Sequence, residues 1–167
     1  MTRVLITGMS GTGKSSVIER LAALGYRAID ADTPEWSEWA PMPAPGAFPG
    51  LAPELDWVWR EDRLRHLLAD SRAEPLFVSG CAPNQRRFHD RFDHIVLLGA
   101  PGDVLVDRLA TRTTNQFGKT AEELEKILAD LREVEPLLRA VADVEIDTGA
   151  TPFEDVVTQS IGLVSQN

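Results

Sequence analysis

The chain has 167 residues, 26 acidic against 17 basic, a net charge of −9, 43% hydrophobic residues and one cysteine. That length can bury most of its apolar surface around a single core, so one domain over residues 1–167 is expected, and the lone Cys81 excludes an internal disulfide and a cysteine-rich zinc site. An acidic total gives no long-range pull on a polyphosphate backbone, and no leader-like start or apolar run near about twenty residues is present, so a cytoplasmic protein without nucleic-acid or membrane partners is expected.

Arg3–Thr7 is a short, almost wholly apolar run ending at glycine, the pattern of a strand buried on both faces of a parallel sheet. Directly after it, Gly8-Met-Ser-Gly-Thr-Gly-Lys14-Ser15 matches the P-loop pattern G-x-x-x-x-G-K-S, and residues 15–24 have helical spacing. Glycines let the backbone wrap closely, so N–H groups from Gly11 to Ser15 can point at phosphate oxygens where the helix N-terminus adds partial positive charge. On this reading Gly8, Gly11, Thr12, Gly13, Lys14, Ser15 and Ser16 bind ATP, with Lys14 spanning the β and γ phosphates and the Ser15 hydroxyl coordinating Mg²⁺.

Tyr26–Ile29 reads as a second strand and leads into Asp30-Ala-Asp32. In an open parallel sheet ligands sit beyond the carboxyl ends of the strands, so both carboxylates are expected at the edge that carries the P-loop. One could orient Mg²⁺ and the other could take or hold a hydroxyl proton; the competing role is capping of the next turn. Residues 33–53 hold six of the 11 prolines together with Trp36, Trp39 and Phe48, a composition that excludes a regular helix and suggests a folded cover over substrate. Helical spacing is expected over 57–68, which completes a substrate-covering region at 33–72.

Leu76–Ser79 and His94–Leu98 are the next two strands. Between them Arg86, Arg87 and Arg91 form a basic patch that Asp90 and Asp93 balance, as on a solvated helix face, with contact to an acceptor phosphate as the alternative. A helix over Val104–Thr111 is followed by 112–120, which has little apolar content and reads as a mobile lid. Leu124, Ile127, Leu128, Leu131, Val134 and Leu138 share one stripe and predict a long helix over 120–141. A weaker strand, Val144–Ile146, precedes Asp147-Thr148-Gly149. Strand and helix alternate, which implies an α/β layered sheet with right-handed crossovers. Cys81 reads as packing, and His66, His89 and His94 have no metal-ligand spacing.

The P-loop, the D-x-D after the second strand, Trp59-Arg60, Ser79-Gly80, Arg108 and Arg112 before the lid, and Leu138-Arg139-Ala-Val-Ala ahead of Asp147-Thr148 together resemble the shikimate kinase group of the nucleoside monophosphate kinase superfamily. The likeness runs in register from Arg3 to about Val164. It implies a P-loop NTPase three-layer fold, a five-stranded parallel sheet of order 2-3-1-4-5, and transfer of the ATP γ-phosphoryl group to a hydroxyl or phosphate of a small-molecule acceptor. By the same resemblance Asp30 assists Mg²⁺ and Asp32 is the candidate base. Arg60 and Arg139 grip an acidic substrate that approaches over Gly80. Arg112 closes over the phosphates as a catalytic group with Arg108 as helper, adenine lies near Thr148 and Pro152, and the protein is a monomer or a dimer.

The chain departs from that family where Ser79-Gly80-Cys81-Ala82 stands in place of a triple glycine, and where tryptophans at 36, 39, 57 and 59 occupy the usual substrate-binding segment. Indole faces favour a flat or aromatic acceptor, although tryptophan at helical spacing also serves a core. A nucleotide-binding sensor and a simple NTPase fit the P-loop as well.

Overall fold

The computed structural model describes residues 1–42, 54–113 and 116–165. The prolines and Phe48 of 43–53, and residues 114–115 of the expected lid, lie outside the described residues.

Five short strands, β1 (Arg3–Thr7), β2 (Arg27–Asp30), β5 (Leu76–Ser79), β6 (His94–Gly99) and β7 (Val144–Asp147), form one parallel sheet in the order β2-β5-β1-β6-β7. Counted without the hairpin described below, that is the expected 2-3-1-4-5. Alternation along β1 sends Val4 and Ile6 to one face and Leu5 to the other, all three without exposed surface. The first face packs Val17, Ile18 and Leu21 of α1 (Lys14–Ala23) and Val156 and Val157 of α6 (Phe153–Gly162). The opposite face takes Leu64, Leu67 and Leu68 of α2 (Glu61–Ala69) and, from the 3-10 turn Gln85–Arg91, Phe88. Leu105 of α3 (Gly102–Thr111) joins Met9, Leu97 and Leu138 in a third cluster. These are the three layers of the P-loop NTPase fold. Among the described residues no helix is long and apolar enough to cross a membrane.

The structure departs from the periodicity in two places. Trp57 and Trp59 lie on a strand rather than a helix: β4 (Glu54–Trp59) pairs antiparallel with β3 (Ser37–Met42), and α2 starts only after Arg60. The spacing over 57–68 predicts a helix, but Trp57 and Trp59 also fit the two-residue period of a strand, and short apolar runs do not separate the two. The expected long helix is broken into α4 (Ala121–Glu133) and α5 (Glu135–Arg139), because Pro136 lacks the N–H that would continue the ladder. At the other end of α4, Thr120 Oγ1 accepts the Glu123 N–H while Glu123 Oε2 accepts the Thr120 N–H, a reciprocal cap that fixes where the helix begins.

Register decides where the site lies. Ile6 and Asp30 both sit opposite Ser79, Thr7 opposite Leu97, and Gly99 opposite Asp147. The carboxyl ends of all five strands therefore bring the P-loop, Asp30-Ala-Asp32, Gly80 and Thr148 to one edge.

Candidate functional site

Between β1 and α1 the chain must turn sharply against the end of β6. Gly8 has φ +149°, and a Cβ there would overlap the Leu98 carbonyl oxygen. Gly13 at φ +97° forms the N-cap of α1. Within the loop the Thr12 hydroxyl donates to the Met9 carbonyl oxygen at 2.8 Å, closing the turn from inside. Lys14 Nζ folds back to the Gly8 carbonyl at 2.8 Å and the Met9 carbonyl at 3.2 Å, so its ammonium stands over the concave side of the loop. Ser15 and Ser16 are exposed at the first turn of α1.

Asp30 and Asp32 are brought together as expected. The Ser15 hydroxyl donates to Asp30 Oδ2 at 2.7 Å, and Asp30 Oδ1 accepts the Asp32 N–H at 3.1 Å. A hydroxyl and a carboxylate oxygen in contact at the mouth of a P-loop are a hard-oxygen donor set suited to Mg²⁺.

Asp32 is held differently. Its Oδ1 accepts the Cys81 N–H at 3.1 Å and the Trp59 indole N–H at 3.3 Å, and Oδ2 shares the Cys81 N–H at 3.1 Å. Burial pushes the pKa of Asp32 up; Lys14 and the two N–H donors work against that rise, and Asp30 adds to it. The result is a carboxylate more basic than usual, close enough to the Lys14 ammonium to feel its charge. Burial likewise pushes the Cys81 thiol up, so it is not a thiolate nucleophile.

Two side chains position Asp32 in a way the sequence did not indicate. Asn84, 3% exposed, accepts the Trp59 backbone N–H at 3.0 Å and donates to the Trp59 carbonyl at 2.9 Å, clamping the residue whose indole holds Asp32. Its partner is 25 positions away, beyond the reach of local spacing. The second is Trp57, whose indole N–H donates to the Asp32 carbonyl oxygen at 2.8 Å. Gly80 has a clear reason to be glycine: a Cβ there would lie 2.7 Å from Asp32 Oδ1 and 2.9 Å from Trp59 Cζ2.

The arginines divide. Arg108 joins the P-loop to the loop after β7, donating to the Gly11 carbonyl at 3.2 Å, Thr148 Oγ1 at 2.9 Å and the Thr148 carbonyl at 2.7 Å. Pro152 is exposed at the start of α6 beyond that loop. Arg112, just past α3, donates to the Phe117 carbonyl at 2.5 Å, and burial lowers its pKa. The end of the 112–120 segment folds back: Gly118 packs between Leu109 and Ile127, and Lys119 Nζ donates to the Ala110 carbonyl at 2.7 Å. Arg60 pairs with Glu38 at 2.7 Å, and Arg139 pairs with Glu135 at 2.6 Å and with both Glu145 oxygens at 2.9 Å. Hydrogen bonds from Glu145 and Glu135 hold the Arg139 guanidinium above its ordinary pKa.

Comparison with known proteins agrees with this geometry. The family model described as AAA domain matches residues 4–129. A dephospho-CoA kinase of Bordetella pertussis is 28% identical, the match covering 90% of this chain and 84% of that protein. In fold the chain is similar to the shikimate kinase of Acinetobacter baumannii in complex with shikimate, with TM-score 0.63, 20% identity, and 100% of this chain and 94% of that one covered. It is also similar to a gluconokinase of Sinorhizobium meliloti, with TM-score 0.56, 23% identity, and 99% and 92% covered. The likeness to the shikimate kinase group read from the sequence thus has a counterpart in solved structures.

Proposed function

The chain belongs to the AAA domain family, and from that premise we propose that it is a cytoplasmic, Mg²⁺-dependent P-loop kinase, residues 1–167 acting as one catalytic unit, which moves the ATP γ-phosphoryl group to a hydroxyl of a small molecule. The observation that carries this reading is Asp32: a carboxylate made basic by burial, fixed by two N–H donors, and near enough to Lys14 to feel its charge. A hydrolase would need such a group only to orient water, whereas the dephospho-CoA kinase, shikimate kinase and gluconokinase to which the chain is similar are named for phosphorylation of small molecules.

The roles follow from position. Amides of Gly11 to Ser15 receive the phosphate oxygens, and Lys14 exchanges its two carbonyl partners for β and γ oxygens. Ser15 and Asp30 would hold Mg²⁺, which supplies charge neutralisation between two phosphates. Asp32 Oδ2, the oxygen with fewer donors, takes the acceptor's hydroxyl proton. The acceptor oxygen then forms its bond to the γ phosphorus as the bond from that phosphorus to the bridging β–γ oxygen breaks; ADP leaves, and the proton passes from Asp32 to solvent. Arg108 keeps the Thr148 loop, our candidate adenine site with Pro152, against the P-loop. Arg112 swings from the Phe117 carbonyl onto the phosphates when residues 112–120 close, which excludes water from the transfer.

ADP release with MgATP is the test. Release that is slow alone, rises with a hydroxyl acceptor and disappears in Asp32→Asn agrees with the proposal. Full turnover without an acceptor assigns an NTPase instead, and MgATP binding with no turnover on any acceptor assigns a sensor.

A further inference from the structure

Beside Asp32 the hairpin presents an aromatic surface whose outer indole, Trp39, serves neither the P-loop chemistry nor the core. Trp57 and Trp39 face each other across β4 and β3, their rings 5.4 Å apart and inclined at 61°. Trp57 is tied to the Asp32 carbonyl by its indole N–H, and Trp39 is 66% exposed. The third tryptophan of the hairpin, Trp59, is 1% exposed in the core, so the sheet has already taken the aromatic it needs. Leaving a second indole in water costs the transfer free energy of a large apolar face, a cost recovered when a flat ring covers it.

Charge selects which ring. The arginines that the family resemblance assigns to an acidic substrate are both occupied by protein carboxylates. Arg60 is held by Glu38 and by the Ser37 carbonyl, and Arg139 by two glutamates at once. An incoming carboxylate would have to displace a tethered one. Lys14, already assigned to the phosphates, and Asp30 both act on Asp32. Once Lys14 is taken by the phosphates, an acceptor beside Asp32 meets the carboxylates of Asp30 and Asp32, which repel an anion.

We propose that the acceptor is an uncharged alcohol carrying a flat heteroaromatic ring, of the nucleoside class, with its ring on Trp39 and Trp57 and its hydroxyl on Asp32. This rests on the kinase reading above.

The test uses the full chain with MgATP and two sets of acceptors: adenosine, guanosine, cytidine, uridine and thymidine in one, shikimate and gluconate in the other. Acceptor-stimulated ADP release and a new phosphomonoester signal in phosphorus NMR are read for each. The expected result is stimulation of about tenfold or more by at least one nucleoside and none by either acid. In Trp39→Ala the KM for that nucleoside rises about tenfold, the equivalent of about 1.4 kcal/mol of stacking, more than kcat falls, and Trp39→Phe restores it. Nucleoside quenching of tryptophan fluorescence weakens in parallel. Stimulation by shikimate or gluconate overturns the acceptor class while leaving the kinase standing. A nucleoside KM indifferent to Trp39→Ala overturns the stacking site, and no response to any nucleoside while MgATP binds overturns the proposal outright. Failure to bind MgATP is the separate result that removes the kinase reading itself.

Discussion

Replacing Gly80 by alanine tests what this glycine is for. The added methyl carbon would stand 2.7 Å from Asp32 Oδ1, 2.9 Å from Trp59 Cζ2 and 3.0 Å from Trp59 Nε1, all inside contact distance. None of these atoms can retreat cheaply. The Asp32 carboxylate is pinned by the N–H of the very next residue, and Trp59 is 1% exposed with its backbone clamped by Asn84. Overpacking of this kind costs about 1–3 kcal/mol, and φ +155° at residue 80 adds about 1 kcal/mol or more of backbone strain for a residue with a Cβ. The expected loss is about 2–4 kcal/mol, a fall in Tm of roughly 5–15 °C for a chain of this size. Scanning calorimetry or a dye-based melt reads it directly. Because the clash displaces the proposed base, kcat falls more than the acceptor KM rises. If the glycine only clears a path for substrate, the melt will not move and KM alone will rise; that outcome refutes the packing argument.

Asp32→Asn removes a carboxylate whose pKa burial raises, so the folded wild type binds this proton more tightly than the unfolded chain does, and the associated stability is present below pH about 4 and lost as pH rises through the folded pKa. The variant is expected to melt above wild type at pH 7.5, by a margin that shrinks at pH 4, while phosphoryl transfer falls about 10²–10⁴-fold; a margin that grows in acid contradicts the sign. Asn84→Ala leaves both Trp59 backbone groups buried and unpaired, about 1–3 kcal/mol for each, and equilibrium urea unfolding should show a loss within that range for one group or both. Arg108→Ala cuts three hydrogen bonds between the P-loop and the Thr148 loop, and the ATP KM should rise about tenfold, close to 1.4 kcal/mol, with the acceptor KM little changed.

The sheet was legible because strands buried on both faces read as uninterrupted apolar runs, and the P-loop because its glycines and lysine meet a local demand of the backbone. That Asp30 and Asp32 lie at the P-loop edge followed from their place after β2. The hairpin was not legible. Trp57 and Trp59 sit two apart, a spacing that a strand uses on one face, yet adjacent Leu64, Leu67 and Leu68 drew the helix back over them. Pro136 was visible inside the apolar stripe of α4 and α5, where helical periodicity outweighed its missing N–H. Apart from Glu135, one helical turn before Arg139, the partners of the arginines were illegible for a different reason. Glu38 meets Arg60, and Glu145 meets Arg139, only once β3 and β7 have found their places, and no local rule links those positions.

The account stands or falls on residues 8–15 as a grip for a triphosphate, and titration of MgATP into the protein with a parallel melt measures that grip. Saturable heat is predicted, together with a stabilisation of about 2.7 kcal/mol at a hundred times the Kd, and loss of both in Lys14→Ala. No heat and no shift in the wild-type protein, or equal binding in Lys14→Ala, would contradict it.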